Sequence, residues 1–206
     1  MRYARYFLPP LKKHYPNTFT SLLQQVAGKF AVTGPAARPV TRSGNPVDKR
    51  LDFSACFLAM ILVLEEQGET FEHIRLICLE VAYEYVRPKN KVQQWLKRLP
   101  PKLLHTGFAR FFLKILNRKI SVLRHPDGFV ARVITGKEET FGFGYGVDIL
   151  ECGICKQFRK YGAEKYVSIL CEVDKITTGL AGLELIRNGT IALGAPVCDF
   201  RFKKMK

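Results

Sequence analysis

The sequence predicts an α+β protein, in which a helical N-terminal part precedes an antiparallel sheet that has helices inserted in it. Up to about residue 121, apolar side chains recur at intervals of three and four residues, which is helical spacing. From about Val122, short runs of β-branched and aromatic residues alternate with glycines, which is typical of strands. We therefore divide the chain into residues 1–121 and 122–206 and expect one compact unit.

The N-terminal part is expected to hold about five helices. Asp52 or Ser54 caps the third, which is apolar nearly all round and should lie in the core. Thr70 caps the fourth, which ends before Pro88. Between the second and third helices, a run of prolines and glycines predicts a loop over residues 32–47. The expected elements are a short helix or arm at about 1–13, followed by helices at about 18–30, 52–67, 70–87 and 102–121.

The helix expected from Lys102 to about Ser121 is amphipathic and basic. Its apolar face is formed by Leu104, Phe108, Phe111, Phe112 and Ile115, and another face carries Arg110, Lys114 and Arg118. A helix of this kind can lie on an anionic membrane surface. More often the apolar face packs on its own domain and the basic side chains stay in water, and we expect that arrangement here.

The C-terminal part is expected to hold two pairs of strands with two helices between the pairs. The second strand carries Gly142, Gly144 and Gly146 at alternate positions, which leaves room where another segment or a ligand comes close. It lacks the Lys-Ser/Thr pair of a phosphate-binding loop. The expected elements are strands at about 129–134 and 140–149, helices at about 152–161 and from 163 onward, and strands at about 183–192 and 196–203.

Charge and composition limit the classes of function. Residues 1–100 carry 15 basic and 8 acidic side chains (+7), and residues 101–206 carry 18 and 10 (+8), so we interpret the net charge of +15 as an evenly spread, solvated surface. No nucleic-acid-binding motif accompanies it, and nucleic acid is not an expected partner. The longest apolar run, residues 55–64, is about half the length that spans a bilayer, so no integral membrane segment is expected.

The cysteine content indicates the compartment. Six cysteines in 206 residues are too few for a disulfide scaffold. The N-terminus lacks a signal-peptide pattern, so a reducing cytoplasm is the expected location. Cys56 and Cys78 lie on helices among apolar neighbours, and we interpret both as packing residues. His73 and His105 are single helical histidines without a second histidine at metal-binding spacing, and we leave them out of any site.

The other four cysteines lie in three short segments that also carry carboxylates: Cys152, Cys155, Cys171 and Cys198, with Glu172, Asp174 and Asp199. Thiols and carboxylates hold metals and act as nucleophiles, acids and bases. For any one cysteine, packing is the more common role. In the last segment, Cys198 alternates with Asp199 and shares a strand face with Phe200 and Phe202, so Cys198 should point inward.

Two kinds of site fit these segments. Cys152-x-x-Cys155 is half of a zinc knuckle, and Cys171 and Cys198 are single, so a divalent metal such as zinc stays an open possibility. Alternatively, Cys152 is a nucleophile, because it lies where a strand leads into a helix and the helix dipole favours its thiolate. Glu151, Glu172 or Asp174 would then act as the acid or base.

The C-terminal segments resemble the L-2-amino-thiazoline-4-carboxylic acid hydrolase family. The resemblance rests on Glu151-Cys152, Gly162, Leu170-Cys171-Glu172-x-Asp174, Arg187-Asn188-Gly189-Thr190-Ile191-Ala192-x-Gly194 and Cys198-Asp199-Phe200-Arg201-Phe202, in this order. It is close over about the last 60 residues and general over the helical part. Cys152, Cys171, Asp174, Gly194, Cys198 and Asp199 fall on recurring positions of the family, whereas Cys155 is an addition of this chain.

The resemblance implies a hydrolase that opens a cyclic amidine of a small carboxylate-bearing substrate by breaking a C–N bond. Catalysis would then involve Cys152, Cys171, Cys198 and a proton donor, Asp174 or Glu172. Arg187 or Arg201 would hold the substrate carboxylate by paired hydrogen bonds, with Asp199 near it. The layout also resembles the 4-vinyl-reductase type of small-molecule-binding domain, which implies a sensor without catalysis as the alternative. The sequence leaves the oligomeric state open.

Overall fold

The architecture of a computed structural model is that of an α+β protein, and the expected fold class is confirmed. The structure describes residues 3–88, 90, 92, 107–142 and 145–205, without the side chains of residues 107–110 and 204. Helices α1 to α5 precede the sheet, and helices α6 and α7 lie between its second and third strands. The helices are α1 (Ala4–His14), α2 (Phe19–Thr41), α3 (Arg50–Glu66), α4 (Phe71–Val86), α5 (Gly107–Val122), α6 (Gly153–Arg159) and α7 (Val167–Leu180).

The four-stranded sheet is antiparallel throughout and has the order β1-β2-β4-β3. In its centre, Ile149 of β2 pairs with Cys198 of β4, and Asp148 pairs with Asp199. This register places Cys198 beside the end of β2, close to where Cys152 begins the next helix. The strands are β1 (Val130–Ile134), β2 (Gly146–Glu151), β3 (Leu183–Ile186) and β4 (Cys198–Lys204), and short 3₁₀ turns cover Glu164–Tyr166 and Ile191–Leu193.

The loop expected over residues 32–47 is wrong for residues 32–41, because α2 continues to Thr41 through Pro35 and Pro39. This part of α2 is buried against α3, and the Thr33 hydroxyl donates a hydrogen bond to the carbonyl of Ala55 at 3.2 Å. Packing of this kind outweighs the lost backbone hydrogen bonds of two prolines. The prolines of this segment therefore do not end the helix, because another face of the same stretch packs in the core.

The other N-terminal boundaries are close to those expected. The Thr70 hydroxyl accepts a hydrogen bond from the His73 backbone N–H at 3.3 Å, which confirms Thr70 as the cap of α4. Helix α3 begins at Arg50, with Lys49 at its cap position, so the caps expected at Asp52 and Ser54 are wrong. This shift of about one turn matters, because it makes Arg50 the first residue of a core helix.

The C-terminal strands are shorter than expected. Strand β2 begins at Gly146, because residues 137–142 form turns, and β3 ends at Ile186. The expectation of close approach holds at Gly146, where a Cβ would lie 2.9 Å from the Phe200 carbonyl oxygen on β4. Gly144 lies outside the described residues, as does His105.

Helix α5 packs on β1 through a face other than the expected one. Leu113 and Ile120 are buried, and the Asn117 side-chain carbonyl accepts a hydrogen bond from the Val133 backbone N–H at 2.9 Å. Phe111, Phe112 and Ile115 are 61%, 55% and 40% exposed, so the prediction that these three side chains pack is wrong. Leu104 and the side chains of Phe108 and Arg110 lie outside the described part of the chain.

The predicted site residues lie where two apolar cores meet. The larger core joins the first four helices to α6 and α7, and it includes Cys56 and Cys78, both fully buried as expected for packing residues. The second core lies between the sheet and helices α2, α3 and α5, and it includes Ile149, Cys198 and Phe200. Ile154 at the start of α6 contacts both cores. Across the described ranges, no helix is long and apolar enough to cross a membrane.

Candidate active site

Three of the predicted cysteines line one small cavity. Cys152, at the cap position of α6, Cys171 on α7 and Cys198 on β4 form its wall together with Asp174 and Arg187. The volume of this cysteine cavity is about 30 Å³, which is room for about one water molecule. The rest of the wall is Arg50 and the apolar side chains of Phe129, Ile149, Ile154, Val167, Leu170 and Phe200.

Local structure explains why these thiols face the same space. Cys198 alternates with Asp199 along β4, and its side chain lies on the buried face with Phe200, as the alternation predicts. Its partner across the sheet is Ile149, three residues before Cys152. Helix α7 packs beside β3 and carries Cys171 and Asp174 three residues apart, on one helix face.

The Cys152 and Cys155 thiols form a coupled pair at the start of α6. The hydrogen bond between them, and then burial, raises the pKa of Cys152, whereas the same hydrogen bond lowers the pKa of Cys155. Backbone N–H groups of Ile154 and Cys155 oppose the rise at Cys152. Coupled groups lose their protons as a pair. At a pH at which a single buried thiol would stay protonated, this pair therefore holds one proton between its two sulfur atoms.

The other two thiols of the cavity keep their protons at neutral pH. Burial raises the pKa of Cys171 to about 12, against the opposing charge of Arg187. Burial also raises the pKa of Cys198, although its sulfur accepts a hydrogen bond from the Ile191 N–H at 3.2 Å. Among the cavity thiols, Cys152 is thus the one with a neighbour able to take its proton.

Asp174 lies on the boundary of the cavity between two arginines. Arg50 Nη1 is 3.2 Å from its Oδ1, and Arg187 Nη1 is 3.7 Å from its Oδ2. Burial nevertheless raises the pKa of Asp174, and the two arginines only partly offset this effect. Compared with water, the site therefore shifts Asp174 toward its protonated form, and a carboxyl group with a raised pKa is suited to donate a proton.

Arg187 presents an unsatisfied hydrogen-bond donor to the cavity. Its side chain is 5% exposed, its Nη2 donates to the Cys171 carbonyl at 3.1 Å, and its guanidinium lies 5.1 Å from the centre of the Phe200 ring. Within the described residues, Arg187 Nη1 has no hydrogen-bond partner, because Asp174 is too distant. An unpaired buried donor costs about 1–3 kcal/mol, so this nitrogen is prepared for an acceptor on a ligand.

Glu172 lies away from the cavity. Arg75 on α4 donates to its two carboxylate oxygens, from Nε at 2.7 Å and from Nη2 at 2.5 Å. These hydrogen bonds lower the pKa of Glu172. The pairing connects α7 to α4, and it leaves Asp174 as the predicted proton donor that lines the cavity.

Arg201 and Asp199 also lie outside the cavity wall, on the opposite face of β4. Arg201 Nη1 donates to Asp148 Oδ1 at 2.7 Å. Asp199 Oδ1 accepts hydrogen bonds from the backbone N–H groups of Asn188 at 3.0 Å and Gly189 at 2.9 Å. Burial acts to raise the pKa of Asp199, but these hydrogen bonds outweigh it and lower the pKa. Both side chains thereby stabilise the sheet and the connection between β3 and β4.

A zinc site would need three or four metal-binding side chains close together around one point. Over the ranges that the structure describes, no group of three or more His, Cys, Asp or Glu side chains is arranged to hold a metal ion. The described donors therefore do not fit a zinc site as they stand, and a bound metal stays a prediction. The chemistry below uses the thiols and carboxyl group alone.

A second, larger cavity adjoins the first and was not predicted. Its volume is about 430 Å³, and four residues, Arg50, Ile154, Leu170 and Asp174, line both cavities. Its wall includes Tyr3, Phe53, Phe57 and Tyr85, and we call it the aromatic chamber. No local sequence signal identifies Arg50 or these aromatic residues, since they are 89 or more positions from Asp174 and reach it only through helix packing.

The family model for L-2-amino-thiazoline-4-carboxylic acid hydrolase matches residues 50–202. The chain belongs to this family. The match begins at Arg50 and ends within β4, so it includes all the residues that line the cysteine cavity. No curated protein and no solved structure matches the chain. Membership supports a hydrolase type of function, and it confirms the family that the C-terminal motifs indicated.

Proposed function

We propose that the protein hydrolyses a C–N bond in a cyclic amidine that bears a carboxylate, and that the reaction takes place at the cysteine cavity. The observation that carries this proposal is the Nη1 of buried Arg187, which lacks a hydrogen-bond partner and lines the same cavity as Cys152 and the Asp174 carboxyl group. A cation, a nucleophile and a proton donor are the three groups that the reaction needs.

The first step is attack by Cys152. The Cys155 thiolate accepts the Cys152 proton, and the N–H groups at the start of α6 stabilise the sulfur anion that remains. This sulfur forms a bond to the amidine carbon. The ring C–N bond of the protonated amidine then breaks, and Asp174 gives its proton to the departing nitrogen, which leaves as an amine.

The second step releases the enzyme. A water oxygen replaces the sulfur at the same carbon, Asp174 takes one proton of that water, and the other leaves with the product. Cys152 departs as the thiolate, and the net reaction consumes one water and yields a carbamoyl compound. The cysteine cavity has room for about one water molecule, which is what this step requires.

The test is turnover of 2-amino-thiazoline-4-carboxylate by the purified protein, measured as release of S-carbamoyl-cysteine, because cleavage of the ring C–N bond leaves the carbamoyl group on sulfur. For Arg187→Met we expect KM to rise about 10- to 100-fold, because the lost pairing is a charge-assisted hydrogen bond worth about 1.5–3 kcal/mol. Arg201→Met is the matched control, since Arg201 pairs with Asp148 away from the cavity. Equal KM values for the two variants, or no turnover by the wild-type protein, would contradict the proposal.

A sensor without catalysis is the second candidate, and the aromatic chamber is the observation that favours it. A chamber of about 430 Å³ with aromatic walls has the size and character of small-molecule sites. Under this alternative, the protein binds an apolar ligand in a one-to-one ratio and releases no product. The turnover assay therefore distinguishes the two candidates.

A further inference from the structure

We propose that the acid bound at this site carries an apolar or aromatic substituent, and that the substituent occupies the aromatic chamber. The first argument is size. A cavity of about 30 Å³ admits a water molecule or a reacting atom but not a heterocycle. Because Asp174 and Arg50 line both cavities, a ligand that reaches the thiols extends into the chamber of about 430 Å³.

The second argument is the chemistry of the chamber wall. Tyr3, Phe53 and Tyr85 contact one another, with ring centres 4.8 Å apart for Tyr3 and Phe53 and 4.2 Å apart for Phe53 and Tyr85. These rings come from α3, from α4 and from the residue before α1. Tyr85 is 38% exposed at this wall. A flat apolar group in the chamber would cover aromatic surface that now faces solvent.

The third argument is charge. Lys49 and Arg50 lie at the chamber wall, and Asp174 is the sole carboxylate among the described residues that line it. Two cations against one carboxylate leave the wall net positive even when Asp174 is ionised. A ligand with an anionic group beside an apolar group would match both the positive charge and the aromatic surface of this wall. A surface groove of similar volume, about 440 Å³, lies between α1 and α4, but none of the predicted site residues line it.

This proposal rests on the proposed function only in taking the bound acid to be the substrate. Its test is therefore a binding measurement that needs no turnover: titration calorimetry with 3-phenylpropionate and with propionate. We expect the phenyl compound to bind at least about tenfold more tightly, since burying a phenyl group gives that factor or more. Equal affinities would overturn the proposal.

Two tyrosines of α4 provide matched variants. Tyr85→Ala should weaken 3-phenylpropionate binding about two- to tenfold, because Tyr85 lines the chamber. Tyr83→Ala should leave binding unchanged, because Tyr83 is also solvent-facing, at 49% exposure, but lines the groove on the other side of the helix. Identical affinities for the two variants would place the ligand elsewhere. If the phenyl acid binds as expected but no cyclic amidine is hydrolysed, the result supports the chamber as a binding site and contradicts the proposed hydrolase activity.

A separate observation concerns helix α5. Between Glu84 and Asp127, the chain has eleven of its 33 basic residues and none of its 18 acidic residues, so the charge is not spread evenly as first interpreted. On the described part of α5, exposed Phe111, Ile115 and Val122 form an apolar stripe. Lys114 and Arg118 flank one side of it and Lys119 flanks the other, and all three are exposed.

We infer that this stripe binds an anionic bilayer surface. An apolar stripe between basic rows is the pattern of a helix that lies in the membrane interface, and basic residues near such a surface each strengthen binding. Nucleic acid would use the charge but has no use for the apolar stripe, so a bilayer is the favoured partner. The opposite face of α5, with Leu113 and Ile120, stays packed on the protein.

Vesicle sedimentation tests this inference. We expect binding to vesicles of phosphatidylcholine with 30 mol% phosphatidylserine and not to phosphatidylcholine alone. Phe111→Ser with Ile115→Ser should reduce the bound fraction at least about tenfold. Leu193→Ser is the control, because Leu193 is 76% exposed and lies elsewhere. Binding that survives the double substitution, or that duplex DNA displaces equally from both proteins, would show that charge alone acts and would overturn the inference.

Discussion

Replacing Asp174 by Asn is expected to reduce turnover of the cyclic amidine at least about 100-fold, the usual contribution of a positioned proton donor. The wild-type rate should fall as pH rises through the raised pKa of Asp174, because the protonated carboxyl group is lost. This fall should disappear in Asp174→Asn, whose amide does not titrate. Steady-state rates between pH 5 and 9 provide the measurement.

The same substitution should not reduce stability. A carboxyl group whose folded-state pKa is raised stabilises the fold fully below its unfolded-state pKa, and this contribution is lost as pH rises through the folded-state pKa. At pH 7, Asp174→Asn should therefore resist urea at least as well as the wild-type protein. Glu172→Gln is the matched control two residues away, and it should keep the wild-type rate, because Glu172 pairs with Arg75 outside the cavity. A rate loss in that control, or an unchanged rate in Asp174→Asn, would contradict the assignment.

Replacing Cys152 by Ala is expected to abolish turnover, because no other cavity thiol has a neighbour that takes its proton. Cys155→Ser should retain slower turnover and should need a higher pH to reach its full rate, since a serine hydroxyl accepts the Cys152 proton far less readily than a thiolate does. The measurement is turnover against pH for both variants, with circular dichroism to show that each folds.

Cys56→Ala is the control for the loss of a thiol. Cys56 lies in the core on α3, and burial raises its pKa to about 12, so it has no route to the reaction. A small loss of stability with full activity is the expected result. If Cys152→Ala stays active, or Cys155→Ser keeps the wild-type pH profile, the thiol pair is not the nucleophile.

The helical and strand periods of the sequence determined the fold class. Apolar spacing predicted α3, and Thr70 predicted the start of α4, because both signals act over one or two helical turns. Alternation along 198–202 predicted that Cys198 points inward with Phe200, because strand geometry fixes alternate faces. The motifs of the last 60 residues also sufficed to indicate the family.

Where the sequence offered two chemically similar residues for one role, the tertiary structure decided between them. Residue type left either Glu172 or Asp174 open as the proton donor, but their places on α7 differ, so Glu172 pairs with Arg75 and Asp174 reaches the cavity. Arg187 and Arg201 separate in the same way, because β4 directs Arg201 to the opposite face, toward Asp148. The orientation of α5 and the approach of Arg50 to Asp174 depend on packing between elements far apart in the chain, and no local pattern of residues encodes such packing.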